Sequence, residues 1–168
     1  MRTLVKLLVV LAFTLSGLQA AEVQLRVSYQ GLEKNLNAED LGKLPPVEID
    51  TIDHGKSHHY HGVAVRDVLA LVNAPFGEKL RGPATALVVG VRAADGYMAA
   101  FALAEFDAAF RQQTILLVDA EDGKPLLAAS GPLRLVCPGD TRGARWVRQV
   151  TGIEVFPITA DSSSRSLR

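Results

Sequence analysis

Cysteine is almost missing from this chain. Cys137 is the only one in 168 residues, so no disulfide can close within the chain and the fold must rest on its hydrophobic core. Net charge is missing as well, with 18 Lys and Arg set against 18 Asp and Glu. Setting Arg2 and Lys6 aside leaves the remainder slightly acidic, which argues against a nucleic-acid surface. There is no internal repeat, no second-domain boundary, no Gly-x-Ser-x-Gly elbow for a serine hydrolase and no paired-carboxylate pattern. What remains, 48% hydrophobic and 21% charged residues, is enough apolar material for one globular core.

The first twenty residues, MRTLVKLLVVLAFTLSGLQA, have a basic start, an apolar run from Leu7 to Leu15 and small residues before AEVQL. This is the pattern of a secretory signal peptide. The apolar run is shorter than the roughly 20 residues needed to span a bilayer. The expected organisation is a signal peptide over 1–20, one domain over 21–159 and a polar C-terminal tail over 160–168, with the mature protein in the periplasm or secreted.

In VQLRVSY the residues Val23, Leu25, Val27 and Tyr29 alternate with polar ones, which predicts a strand with one buried face. Asn37 is placed to cap a short acidic turn, and Pro45 and Pro46 end it before a second strand, VEIDTI. DHGKSHHYHG reads as a polar loop. After it, Val65, Val68, Leu69 and Val72 lie on one helical face. ATALVVGVRA and YMAAF predict strands turned at Asp95 and Gly96; LAEFDAAF predicts a short helix, and TILLVDA, LRLVC and GIEVFPI predict further strands. About seven strands and two or three short helices define an α+β domain with a mixed or antiparallel sheet.

The chemistry gathers in GPLRLVCPGDTRGARWVRQV, residues 131–150. Strand alternation puts Leu133, Leu135 and Cys137 on one face and Arg134 and Val136 on the other, so Cys137 reads as core filling rather than as a nucleophile or metal ligand. Beyond Pro138 and Gly139, the loop DTRGAR carries Arg142, Gly143 and Arg145, with Trp146 and Arg148 just after it. Guanidinium forks suit oxyanions and the polar edges of heterocycles, and an indole suits a flat ring. Solvated surface arginines around a structural tryptophan would have the same sequence. His54, His58, His59 and His61 fall within eight residues and offer a zinc or copper module, a pocket lining or a plain loop. His59 and Tyr60 are the members expected nearest a ligand, with Tyr97 of the Asp-Gly-Tyr turn at a pocket rim.

Four segments resemble the sulfite-oxidase-type molybdopterin-binding domain family: YHGVAVRDVLALVNAP (60–75), AADGYMAAFALAEF (93–106), DGKPLLAASGPLRLVCPGD (122–140) and RGARWVRQVTGIEV (142–155). The resemblance implies a sulfite-oxidase-like α+β fold. It also implies that Arg134 matches the arginine after the Gly-Pro-Leu of a strand, and that Gly143, Arg145 and Arg148 match the loop receiving the pterin cofactor and its phosphate. Catalytic members hold molybdenum through a cysteine near the position of Thr51, where this chain has none. The chain is thus similar to small exported members that bind a metal-free pterin and act with membrane-bound signalling enzymes working on cyclic dinucleotides. A molybdopterin-dependent oxidoreductase subunit is the alternative that the same resemblance carries.

Overall fold

The computed structural model describes residues 24–53 and 55–158. The signal-peptide and tail expectations, and His54 of the histidine cluster, lie outside the described residues. Among the described residues ten strands form two five-stranded sheets. In the first, β1 (Leu25–Tyr29), β2 (Leu32–Leu36), β5 (Leu87–Ala93), β6 (Met98–Ala102) and β10 (Val150–Pro157) run in the order β2-β1-β10-β5-β6. The second has β3 (Pro46–Asp53), β4 (Lys56–Ala64), β7 (Leu116–Glu121) and β8 (Lys124–Pro125) in that order, with β9 (Arg134–Val136) also paired to β7. Among the described residues only the β1–β10 pair is parallel. The sheet is therefore mixed, as the sequence predicts.

The predicted alternation of β1 holds, with Leu25, Val27 and Tyr29 buried and Arg26 exposed. Asn37 caps α1 (Ala38–Gly42) as expected: its side chain accepts from the Asp40 N–H at 2.9 Å, and its own N–H donates to the Asp40 carboxylate at 3.2 Å, a reciprocal pair that satisfies two orphan donors. Helix α2 (Val65–Ala70) buries Val65, Val68 and Leu69, and Val72 just beyond it packs in the same cluster. Both sheets and α2 feed one core, from Val27, Ile153 and Val89 on one side to Leu117, Leu135 and Val63 on the other.

Two sequence expectations need correction, and one strand was not expected at all. LAEFDAAF forms only a 3-10 turn over Leu103–Phe106. The outward Leu32–Leu36 pairing along β1 has no apolar alternation to betray it, and it is a strand. Most consequential, DHGKSHHYHG is not a loop. Residues Lys56 to Val63 pair one for one with Asp53 to Pro46, and β4 continues onto β7. Cross-strand carboxylates stabilise this histidine-rich strand: Asp50 sits 2.9 Å from His59 Nδ1 and Asp119 sits 2.8 Å from His61 Nδ1. Such opposite-charge pairs replace the apolar pattern a strand usually shows.

Where β4 crosses β7, only glycine fits. A Cβ on Gly62 would lie 2.2 Å from the Leu117 carbonyl oxygen and 2.6 Å from Val118 Cα. The register also shifts between His61 and Gly62, so the bulge and the close backbone approach occur together.

Candidate functional site

Strand alternation led to an expected free face for Arg134, and the structure removes it. Both faces of β9 are covered, and Arg134 is only 8% exposed. Its Nη2 donates to Asp53 at 2.6 Å and its Nη1 to the Tyr60 hydroxyl at 3.3 Å. The guanidinium centre lies 5.7 Å from the Tyr60 ring centroid and 5.5 Å from that of Trp146, and the two rings meet edge to face. Burial, reinforced by Glu121 and Asp53 and opposed by Arg134, pushes the Tyr60 phenol well above its ordinary range. Trp146 is buried too, so its indole face packs on Arg134 rather than awaiting a ring. Two buried donors in this cluster, Arg134 Nε and Trp146 Nε1, have no acceptor among the described residues. Leaving such groups unpaired costs about 1–3 kcal/mol each.

Arg145 lies in a second cluster. Its Nε and Nη2 fork onto Asp140 at 2.9 and 2.8 Å, its Nη1 reaches both Glu105 oxygens at 3.2 and 3.0 Å, and the guanidinium stacks 4.5 Å from the Phe101 ring centroid. Arg111 closes the ring of charges, 3.3 Å from Glu105 and 3.6 Å from Asp140, and also donates to the Pro138 carbonyl. Two cations and two anions cancel. The Asp140 fork holds Arg145 more firmly protonated than usual.

The 3-10 turn Gly143–Arg145 is pinned from both sides. The Tyr97 hydroxyl donates to the Ala144 carbonyl at 2.7 Å, and Cys137 Sγ donates to the Arg145 carbonyl at 3.6 Å. Tyr97 is thus a loop fastener. Arg142 and Arg148 are exposed, and neither makes an ion pair or hydrogen bond among the described residues. Of the arginines in residues 131–150, these two have unengaged guanidiniums among the described residues.

Cys137 is fully buried, and burial, aided by Asp140, pushes its thiol up to about 12. The core reading therefore agrees with the geometry. In the folded protein Cys137 is expected to resist an aromatic disulfide reagent at mildly alkaline pH, and to react stoichiometrically once denaturant opens the core. Rapid reaction of the native protein would show the thiol to be accessible.

The histidines divide between the two faces of β4. His59 and His61 turn outward to Asp50 and Asp119, whereas His58 faces Glu121 at 2.8 Å and Asp122 at 3.2 Å. The Asp50 hydrogen bond raises the His59 pKa above its ordinary value. His59 and Tyr60, expected side by side at a ligand, point to opposite faces and cannot line one surface together. Sequence reasoning also missed most of the anionic half of the site, namely Glu105, Glu121 and Asp140, and placed Asp53 only beside the histidines. Asp140 stood in plain view inside the arginine-rich stretch, whereas Glu105 lies forty residues from the arginine it holds.

A basic loop laid across the side of a mixed two-sheet core, with unpaired donors beneath it, defines a small α+β cofactor-binding domain. Residues 51–163 match the oxidoreductase molybdopterin binding domain, and the chain belongs to that family. Among solved structures it is similar to the sulfane dehydrogenase SoxCD from Paracoccus pantotrophus, with a TM-score of 0.56 and 16% identity, over 86% of this chain. The chain spans 40% of the length of that protein, and at this identity the likeness shows the fold alone. The sulfite-oxidase-like fold expected from the sequence is the one found. No curated protein matches.

The residues fit one part of the family's cofactor better than the other. Of the arginines in this stretch, the exposed Arg142 and Arg148 are the ones available to the carbonyl and nitrogen acceptors of a pterin, whereas Arg134 Nε and Trp146 Nε1 are buried. For molybdenum the set lacks a soft anionic ligand, since the single thiol is buried, protonated and turned to the Arg145 carbonyl.

Proposed function

We propose that this chain is an exported, non-catalytic pterin-binding protein that reports ligand occupancy to a membrane-bound signalling enzyme acting on cyclic dinucleotides. The observation that carries the non-catalytic reading is the state of Cys137. In a molybdopterin-binding family, the one thiol of this chain is sealed in the core with its pKa pushed up to about 12, and Thr51 stands in the β3 region where catalytic relatives carry their cysteine. A bound pterin would supply a flat heterocycle rich in acceptors. Arg148 and Arg142 orient its polar edge, and the Gly143 turn contributes backbone donors. The carboxylates already engaging Arg145 weigh against a strongly anionic group at that arginine. Loops that order around the ligand would change the surface offered to the partner. Export rests on the basic and apolar start of the sequence, and the partner rests on the resemblance to small exported members.

Mass spectrometry of the small molecules that accompany the purified protein, together with metal analysis, tests this reading. A pterin without molybdenum is the expected result. Stoichiometric molybdenum would instead establish the second reading, an oxidoreductase subunit, which the family's oxidoreductase members favour. Calorimetry with a supplied pterin adds a residue-level test. Arg148→Ala is expected to cost about 1.5–3 kcal/mol of affinity, the worth of a charge-assisted bond, with thermal stability unchanged. Arg145→Ala is expected to lower affinity and stability together, because it releases Asp140 and Glu105. Wild-type affinity in Arg148→Ala would show that this loop faces away from the ligand.

A further inference from the structure

On the inward side of β4, three donors from two chain segments meet. His58 Nδ1 lies 2.8 Å from Glu121 Oε1 and 3.2 Å from Asp122 Oδ2, and the three ligand atoms fall within 4.8 Å of one another. We propose that His58, Glu121 and Asp122 form a binding site for a borderline divalent cation such as zinc, separate from the pterin loop.

Bond lengths support the assignment. Around zinc, with donors near 2.0–2.2 Å, neighbouring ligand atoms of a tetrahedron stand about 3.4 Å apart. The two nitrogen–oxygen separations observed here, 2.8 and 3.2 Å, would widen by about 0.6 and 0.2 Å to reach that spacing. A proton on Nδ1 can be directed at one carboxylate, whereas a cation satisfies both.

Each donor is also held by something other than its fellow ligands. Asp122 is anchored to β4 twice: its Oδ1 accepts from the His59 N–H at 2.9 Å, and its own N–H donates to the His59 carbonyl at 2.7 Å. The first of these bonds holds its carboxyl below the ordinary carboxylate range. Glu121 Oε1 accepts from the Tyr60 hydroxyl at 3.2 Å, and His58 packs its ring against that of Tyr60. Outer contacts of this kind orient ligands before the metal arrives. The outward pairs of His59 and His61 lack such support and are more exposed.

Charge points the same way. Asp53, Glu121 and Asp122 outnumber Arg134, whose close partner is Asp53 at 2.6 Å. Arg134 Nη1 stands 4.0 Å from Glu121 Oε2, the oxygen not turned toward His58. Three protein donors leave at least one coordination position for water.

The test is calorimetric titration of the untagged protein with zinc alone at neutral pH. One saturable site of micromolar or tighter affinity is expected. His58→Ala and Asp122→Asn are each expected to weaken it at least about tenfold, with His61→Ala unchanged. Asparagine retains the acceptor for the His59 N–H, so Asp122→Asn decides the matter should His58→Ala fail to fold by circular dichroism. No saturable uptake, uptake that survives Asp122→Asn, or equal loss in His61→Ala would overturn the proposal.

Discussion

Arg134→Ala is expected to lose about 3–5 kcal/mol of folding stability in urea denaturation, the range found when one partner of a buried ion pair is removed. The side chains of Arg134 and Asp53 are 10% and 12% exposed and meet at 2.6 Å. Alanine would leave the Asp53 carboxylate in place without the guanidinium that offsets its desolvation. It would also strip the Tyr60 hydroxyl of a donor and open a void between the Tyr60 and Trp146 rings. The double variant Arg134→Ala with Asp53→Ala also removes the carboxylate that loses its guanidinium, so it should be more stable than Arg134→Ala alone, and the non-additivity measures the pair. A ligand-binding arginine would behave differently: Arg134→Ala would fold with near-native stability and fail only in binding. That result would contradict the buried role assigned here.

Gly62→Ala is expected to be at least as damaging, about 4 kcal/mol or more, or to prevent folding. The obstruction to its Cβ is the main chain of β7 at 2.2–2.9 Å, which cannot turn aside as a flexible side chain would. Relief requires parting β4 from β7, and with it the strand that holds Tyr60 and His58. Gly42→Ala is the matched control. Nothing lies within 4 Å of a Cβ at that position, and alanine at the end of α1 should leave stability unchanged or raise it by up to about 1 kcal/mol. Equal thermal midpoints for the two variants would show that the β4–β7 approach is looser than described.

The elements whose apolar residues recur with a regular period were legible in the sequence. Leu25, Val27 and Tyr29 announced β1, and Val65, Val68, Leu69 and Val72 announced α2, because one-sided burial leaves a periodic trace. Strand β4 left none. Its histidines sit opposite Asp50 in β3 and Asp119 in β7, so the stabilising pairs join residues up to about sixty positions apart. For the candidate site, the arginines could be picked out but their availability could not. Arg134 and Arg145 look the same as Arg142 and Arg148 in the sequence. What separates them is largely tertiary: Asp53 and Glu105 arrive from elsewhere in the fold, and Asp140 turns back from within the stretch, to engage two of the four. The absence of a second cysteine was the most informative sequence feature, and the buried position of the first gave it meaning.

The parallel pairing of β1 with β10 sets the order in which this molecule can mature. Residues Arg26–Tyr29 pair with Gly152–Val155, and β10 lies between β1 and β5 in its sheet. Until that last strand emerges from synthesis, the hairpin at the start of the domain and the β5–β6 hairpin have no strand between them. Contacts of such long range form slowly. The sheet can therefore close only once β10 has been made, because Arg26 must wait for Gly152.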